Sequence, residues 1–156
     1  MRGRKFITTL CIVLFSLLSC KTIYYSHGMQ QKENNWEFNI ESIEKGPKSF
    51  IIGRLEYYPE ENHTYITTKI SIKNLSSTES NLDLRKMFLV SDNIVSSPQF
   101  ISMKKIILLP APKVAKISPN EEIYRELIHV FPEKLVPKML VIDTVTTIPI
   151  EQQDNI

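Results

Sequence analysis

The chain has 156 residues, 42% of them hydrophobic, with two cysteines and a formal net charge of +2. This length suffices for one domain whose core is large enough to fold without disulfides. The balance of 19 basic and 17 acidic side chains excludes the strongly basic surface that binds nucleic acid, so we expect no nucleic acid partner.

Residues 1–19 have the order of a secretory signal peptide. A basic start, with Arg2, Arg4 and Lys5, precedes an apolar run over 6–18. The run is shorter than the about 20 apolar residues that a helix needs to cross a bilayer, and it matches the apolar core of a secretory signal. We therefore predict that 1–19 is removed on export.

The end of the apolar run, Leu17-Leu18-Ser19-Cys20, resembles the lipobox of bacterial lipoproteins. The resemblance implies that a diacylglycerol is attached to the thiol of Cys20 and that the chain is cleaved between Ser19 and Cys20. Two or more acyl chains hold a protein stably at a membrane, so the membrane is an expected partner through acyl chains on Cys20. The alternatives are an ordinary signal peptide, or an uncleaved anchor in which Cys20 is incidental.

Residues 20–35 are predicted to be the lipidated N-terminus and a flexible tether, because they are polar and show no sustained periodicity. Tyr24 and Tyr25 suit either the membrane interface, where aromatic rings with a polar tip accumulate, or the start of a short strand. Removal of 1–19 takes three of the 19 basic side chains and leaves 16 against 17 acidic ones, so the mature chain carries a net charge of −1.

The following segments alternate apolar and polar residues with the period of two that is typical of half-buried strands. The pattern is clearest over 65–74, where β-branched residues dominate, and this segment is predicted to be a central strand. Other predicted strands are 36–40, 49–58, where Gly53 indicates a bulge or a close backbone approach, one within 82–92, and 138–147. Together they predict a domain over 36–150, followed by a polar tail over 151–156.

The segment 94–116 has no clear pattern. Short strands are expected at 100–103 and 106–109, and the prolines around them would end these strands or place them at a sheet edge. Long ordered loops are often functional. This segment is therefore a candidate contact surface.

Residues 118–132 carry two conflicting signals. Ser118, Pro119 and Glu121 form the capping box that begins a helix, and the apolar residues that follow recur at helical spacing. The same stretch resembles a tight turn and a strand of the family named in the next paragraph. Because sheet context overrides local propensity, we predict a strand over 123–131 and keep a helix as the alternative.

Two parts of the chain resemble the immunoglobulin-like domains of unknown function found on many bacterial lipoproteins and secreted proteins. The first is the strand 65–76, which ends in Asn74-Leu75-Ser76 and is followed, after a polar gap, by the segment 88–92. The second is the turn at 119–122, followed by strands at 127–132 and 139–143.

The resemblance implies an all-β fold, an antiparallel sandwich of about seven strands that serves in adhesion, scaffolding or chaperone-like functions. It implies no catalytic residue. Asn120 stands where the family commonly has Gly, and Asn tolerates the left-handed backbone that a tight turn requires.

No chemical site emerges from the polar residues. His27, His63 and His129 are far apart and lack a second ligand at metal-binding spacing. His129 lies in an apolar run and is predicted to be a core or edge residue with one hydrogen bond. The chain has no Gly-x-Ser-x-Gly nucleophile motif and, with four glycines, no glycine cluster to hold phosphate. We therefore expect no catalytic residue, no metal, no cofactor and no enzymatic activity.

The favoured interpretation is an envelope lipoprotein, anchored by Cys20, that acts as a non-catalytic binding or scaffold module. It would engage a protein partner through sheet edges or through loops such as 94–116. The alternatives are a surface-exposed, adhesin-like lipoprotein that contacts host or matrix molecules, and a small-ligand carrier or hydrolase, which needs a concave pocket. Lys21 replaces the Asp that retains some lipoproteins at an inner membrane, so the outer membrane is favoured, on its periplasmic face or at the cell surface.

Overall fold

The computed structural model describes residues 22–25, 29–52, 54–103, 109–143 and 146–150. In these ranges the chain forms fourteen strands and one turn of 3₁₀-helix at Leu84–Lys86. The strands are β1 (Ile23–Tyr25), β2 (Met29–Glu33), β3 (Trp36–Lys45), β4 (Phe50–Ile52), β5 (Leu55–Tyr57), β6 (His63–Asn74), β7 (Ser80–Asp83), β8 (Met87–Ser91), β9 (Ile94–Ser96), β10 (Pro98–Ser102), β11 (Val114–Ile117), β12 (Glu122–Pro132), β13 (Met139–Ile142) and β14 (Thr146–Pro149). The predicted all-β fold is confirmed.

The larger sheet has the strand order β1-β3-β6-β12-β10, and β2 also pairs with β3. All of these pairings are antiparallel. The centre of the sheet is the pair β6 and β12, whose register runs from Lys73 opposite Glu122 to His63 opposite Pro132. The β-branched residues that predicted a central strand therefore lie in one, as the pleated, half-buried surface favours.

A second layer consists of the sheet β14-β13-β8-β9 and the separate pair β11-β7. Its strands are short and antiparallel. The β8–β9 hairpin turns at Asp92, whose φ is 47°, and the chain after β13 turns at Asp143, whose φ is 49°. Asp is one of the few side chains that tolerate this left-handed backbone.

The core lies between the two layers. Alternate residues of the larger sheet, including Ile40, Ile70 and Leu127, share one buried cluster with Leu89 and Leu140 of the second layer. Each fully buried side chain of this size contributes about 1.5–3 kcal/mol. The molecule is therefore an antiparallel β-sandwich, as the sequence predicted.

The outer face of the larger sheet is partly covered by the β4–β5 hairpin. Phe50 of the hairpin is buried against Tyr65 of β6 and Ile128 of β12. The residues next to these two, Ile66 and Leu127, point to the opposite face and lie in the main core. The ring centroids of Phe50 and Tyr65 are 4.6 Å apart, and those of Tyr57 and Phe100 are 5.2 Å apart. This small aromatic cluster fixes the hairpin on the sheet.

The N-terminal part of the domain differs from the prediction. Instead of a flexible tether over 20–35, β1 and β2 pair with β3, and Tyr24 and Tyr25 are buried in the core. A turn at Asn34 and Asn35, with φ of 47° and 66°, joins β2 to β3. Two consecutive residues with positive φ form the turn that matches the twist of a hairpin. The polar residues that predicted a tether therefore belong to a turn and to a strand at the sheet edge. The domain therefore includes residues before the predicted boundary at 36.

Residues 118–132 form a turn and a strand, so the predicted strand is confirmed and the helix alternative is wrong. The Glu121 carboxylate accepts a hydrogen bond from the Ser118 N–H at 2.8 Å, which is the contact of a capping box, but no helix follows. Asn120 has a φ of 60°, the left-handed backbone that Asn tolerates in a tight turn. Pairing of β12 with β6 along its whole length outweighs its helical spacing.

The segment 94–116 is more regular than expected. It contains β9, β10 and the start of β11, and β10 agrees with the strand predicted at 100–103. The strand predicted at 106–109 falls mainly on residues outside the described ranges. The described chain also has more strands than the about seven predicted, because the single strands predicted at 49–58 and 138–147 are each two strands that pair with one another, β4 with β5 and β13 with β14.

Candidate functional site

The predicted site residues Ser19 and Cys20 lie outside the described residues, as do 1–19, Gly53, His27 and the tail 151–156. The structure does locate the first described residue after them. The Lys45 N–H donates a hydrogen bond to the Thr22 carbonyl at 2.8 Å, so the chain joins the sandwich at the end of β3. Among the described residues no helix is long and apolar enough to cross a membrane.

A groove opens beside the tip of the β4–β5 hairpin. It has a volume of about 150 Å³ and is lined mainly by apolar residues: Ile52 of the hairpin, residues 98–101 of β10, and Pro110, Ala111 and Lys113. An apolar cavity of this volume accepts a group of the size of benzene. The groove therefore has room for one apolar side chain.

Apolar side chains adjacent to the lining residues, in sequence or in strand pairing, are exposed. Leu55, which lies opposite Ile52 across the hairpin, is 63% exposed, and Ile51 is 66% exposed. Leu109 and Val114, next to the lining residues in sequence, are 37% and 45% exposed. An apolar groove with exposed apolar side chains close to it in the chain is a candidate binding surface.

The outer edge of β10 is paired at its C-terminal end. The Met103 N–H donates to the Leu109 carbonyl at 2.9 Å, and the Ala111 N–H donates to the Ile101 carbonyl at 2.8 Å. Residues 109–111 thus pair with the edge that β12 leaves unpaired. The edge at 101–103 is therefore already paired, and the apolar groove lies next to it.

The described histidines do not form a metal centre. His129 is fully buried on β12, and its Nδ1 lies 3.0 Å from the Ser96 carbonyl. A carbonyl only accepts, so Nδ1 carries the proton, and Nε2 has no hydrogen-bond partner among the described residues. Burial lowers the pKa of His129 to about 4, so the ring is neutral. This agrees with the prediction of a core residue with one hydrogen bond.

His63 lies at a sheet end, with its Nδ1 2.9 Å from the Glu61 carbonyl. In the part of the chain that the structure describes, no three His, Cys, Asp or Glu side chains come together as metal ligands.

A charged cluster on the outer face of the larger sheet was missed in the sequence. Glu44 of β3 and Glu126 of β12 are buried, and both flank Lys69 of β6. The Lys69 Nζ lies 2.5 Å from the Glu44 carboxylate. Burial and the charges of Glu126 and Glu41 raise the pKa of Tyr124 beside them. The cluster joins three neighbouring strands.

No protein-family model matches the chain, and no curated protein sequence matches it. Two solved structures are similar to it. A conserved hypothetical protein from Bacillus anthracis is 15% identical with a TM-score of 0.59, and the alignment covers 81% of this chain and 95% of that one. An uncharacterised β-sandwich protein from Clostridium difficile is 22% identical with a TM-score of 0.48, over 69% of this chain and 75% of that one. At 15% identity the first likeness shows the fold alone.

Proposed function

We propose that the chain is a lipid-anchored envelope lipoprotein whose sandwich is a non-catalytic module that binds a protein partner. The observation that carries the binding role is the groove beside the β4–β5 hairpin, with the exposed Leu55 paired opposite its lining residue Ile52. The anchor rests on the sequence, in which an apolar leader ends in Leu17-Leu18-Ser19-Cys20. The occupant of the groove is an apolar side chain of the partner.

The hairpin tip gives the binding role a sharp test. A photo-crosslinking amino acid at Leu55 in intact envelopes should give a discrete adduct, whose partner is identified by mass spectrometry. The same group at Val95 is a matched control, because Val95 is 64% exposed but lies on β9 in the other layer. Equal adducts at both positions, or none at Leu55, would overturn the proposal.

Binding of the purified partner should then depend on Leu55. Leu55→Asp should weaken binding at least tenfold, since removal of one buried Leu costs about 2 kcal/mol. Val95→Asp should leave the affinity unchanged. Both substitutions are at exposed positions, so each should alter the free energy of unfolding by less than about 0.5 kcal/mol.

The same module serves either inside the envelope or at the cell surface. Because Lys21 follows Cys20, we favour the outer membrane. Protease treatment of intact cells distinguishes its two faces: a protected sandwich lies on the periplasmic face, and a digested one is displayed as an adhesin-like lipoprotein would be.

A further inference from the structure

One end of the sandwich carries the point at which the described chain begins. Thr22 bonds to Lys45, and the Gly46 N–H donates to the Tyr65 carbonyl at 2.7 Å. On the same end, the Glu133 N–H donates to the Asn62 carbonyl at 2.9 Å. We call this surface, formed by Thr22, 45–48, 58–63 and 133–134, the N-proximal end. Strand β1 runs from Ile23, opposite Glu44, into the sheet, so the described chain begins at this end.

The connection between this end and Cys20 is short. Two peptide units join Cys20 to Thr22, so their Cα atoms are at most about 7 Å apart. The headgroup layer of one leaflet is roughly 5–8 Å thick. If acyl chains hold Cys20 at the membrane, Thr22 lies in this layer or directly above it. The sheet pairing of β1 leaves no long tether to separate the domain from the lipid.

The N-proximal end is polar, with its charges in balance. Its lysines are Lys45, Lys48 and Lys134, and its glutamates are Glu60, Glu61 and Glu133. Lys45 and Glu133 form an ion pair at 3.0 Å, whereas Lys48 and Glu60 lie on the rim of a recess of about 360 Å³. Tyr58, which is 66% exposed, also lines this recess. Exposed Tyr rings suit the membrane–water interface. The lysines complement the phosphate of a zwitterionic headgroup, and the glutamates complement its ammonium group.

From these observations we infer that the sandwich stands end-on at the lipid surface, with its N-proximal end against zwitterionic phospholipid headgroups. The inference rests on the proposed anchor at Cys20. In this orientation β6 runs away from the membrane from His63 to Asn74, a rise of roughly 36 Å at 3.3 Å per residue. Trp36, which pairs with Asn74, is then far from the lipid, whereas Tyr58 is next to it.

This difference can be measured on a chemically tethered domain. The chain from Cys20 onward has a single cysteine, which couples to a maleimide lipid in phosphatidylcholine vesicles. The chain also has a single Trp, Trp36, which reports on the far end. The double variant Trp36→Phe, Tyr58→Trp moves this reporter to the N-proximal end. Spin labels on the lipid headgroups quench the Trp emission at short range.

We expect quenching several-fold stronger for the Tyr58→Trp reporter than for Trp36. Equal quenching, or stronger quenching of Trp36, would overturn the orientation. Insertion of a flexible Gly-Ser linker of about 12 residues before Thr22, with a reach of roughly 20 Å, should reduce the quenching of the Tyr58→Trp reporter. Unchanged quenching would overturn the role of the short connection. Anionic lipid in the vesicles should leave the result unchanged, and quenching seen only with anionic lipid would overturn the headgroup class.

This experiment does not depend on lipidation by the cell. Trp quenching on the vesicles tests the end-on orientation. The mass of the N-terminus of the native protein tests the anchor. The two outcomes are therefore distinguishable.

Discussion

Protonation of His129 should destabilise the sandwich between neutral and mildly acidic pH. The ring is fully buried, and burial lowers its pKa from 6.5 to about 4. The folded state therefore binds this proton less well than the unfolded chain. The contribution of the neutral ring to the free energy of unfolding is fully present above about pH 6.5 and is lost as the pH drops towards 4. A folded-state pKa lower by about 2.5 corresponds to a loss of about 3 kcal/mol.

Urea unfolding at a series of pH values between 7 and 4 measures this loss. His129→Asn keeps an N–H donor near the Ser96 carbonyl but has no group that titrates in this range. Between pH 7 and 4, the variant should therefore lose about 3 kcal/mol less free energy of unfolding than the wild type loses. His63→Asn, at a sheet end, is the matched control for the replacement of a histidine by Asn. If wild type and His129→Asn lose the same stability between pH 7 and 4, the reasoning is refuted.

Two backbone positions give further predictions, both measured as free energies of unfolding in urea. Gly46→Ala would place a Cβ 3.0 Å from the Tyr65 Cβ and 3.1 Å from the Tyr65 carbonyl oxygen, and should cost about 1–3 kcal/mol; wild-type stability would show that β3 and β6 separate freely here. Asn120, with a φ of 60°, should be replaceable by Gly without loss, whereas Asn120→Val should cost about 1–2 kcal/mol. Equal stability of these two variants would contradict the left-handed turn.

The strands that bury one face could be predicted from the sequence because period-two alternation directly reflects that burial. The alternation over 65–74 corresponds to β6, whose Ile66, Ile70 and Ile72 lie in the core. Residues 118–132 were harder, since their apolar spacing fits a helix as well. What decides between helix and strand is the pairing with β6, a contact between segments that lie far apart in the chain.

The N-terminal hairpin was missed because its strands are polar. Residues 29–33 lie at a sheet edge and bury few side chains, so they lack the apolar alternation on which strand prediction depends. The turn residues Asn34 and Asn35 were the available signal, since consecutive Asn residues tolerate positive φ. The difference matters for function. Where the sequence predicted a tether, the structure has strands of the domain, and the first described residue, Thr22, is two residues after Cys20.

The groove could not be predicted residue by residue. The segment 94–116 was expected to carry a contact surface, but the groove also requires Ile52, which comes from a hairpin about forty residues earlier in the chain. The aromatic contacts among Phe50, Tyr65 and Phe100 bring these segments together. A single sequence shows that such residues are apolar but not which of them meet.

The lipid anchor at Cys20 is tested most directly by the intact mass of the mature N-terminal peptide from isolated envelopes. We predict a chain that begins at Cys20 and carries the mass of an attached diacylglycerol, with radiolabelled palmitate incorporated by the wild type and not by Cys20→Ser. A chain that still carries residues 1–19, or an unmodified Cys20 thiol, would contradict the account.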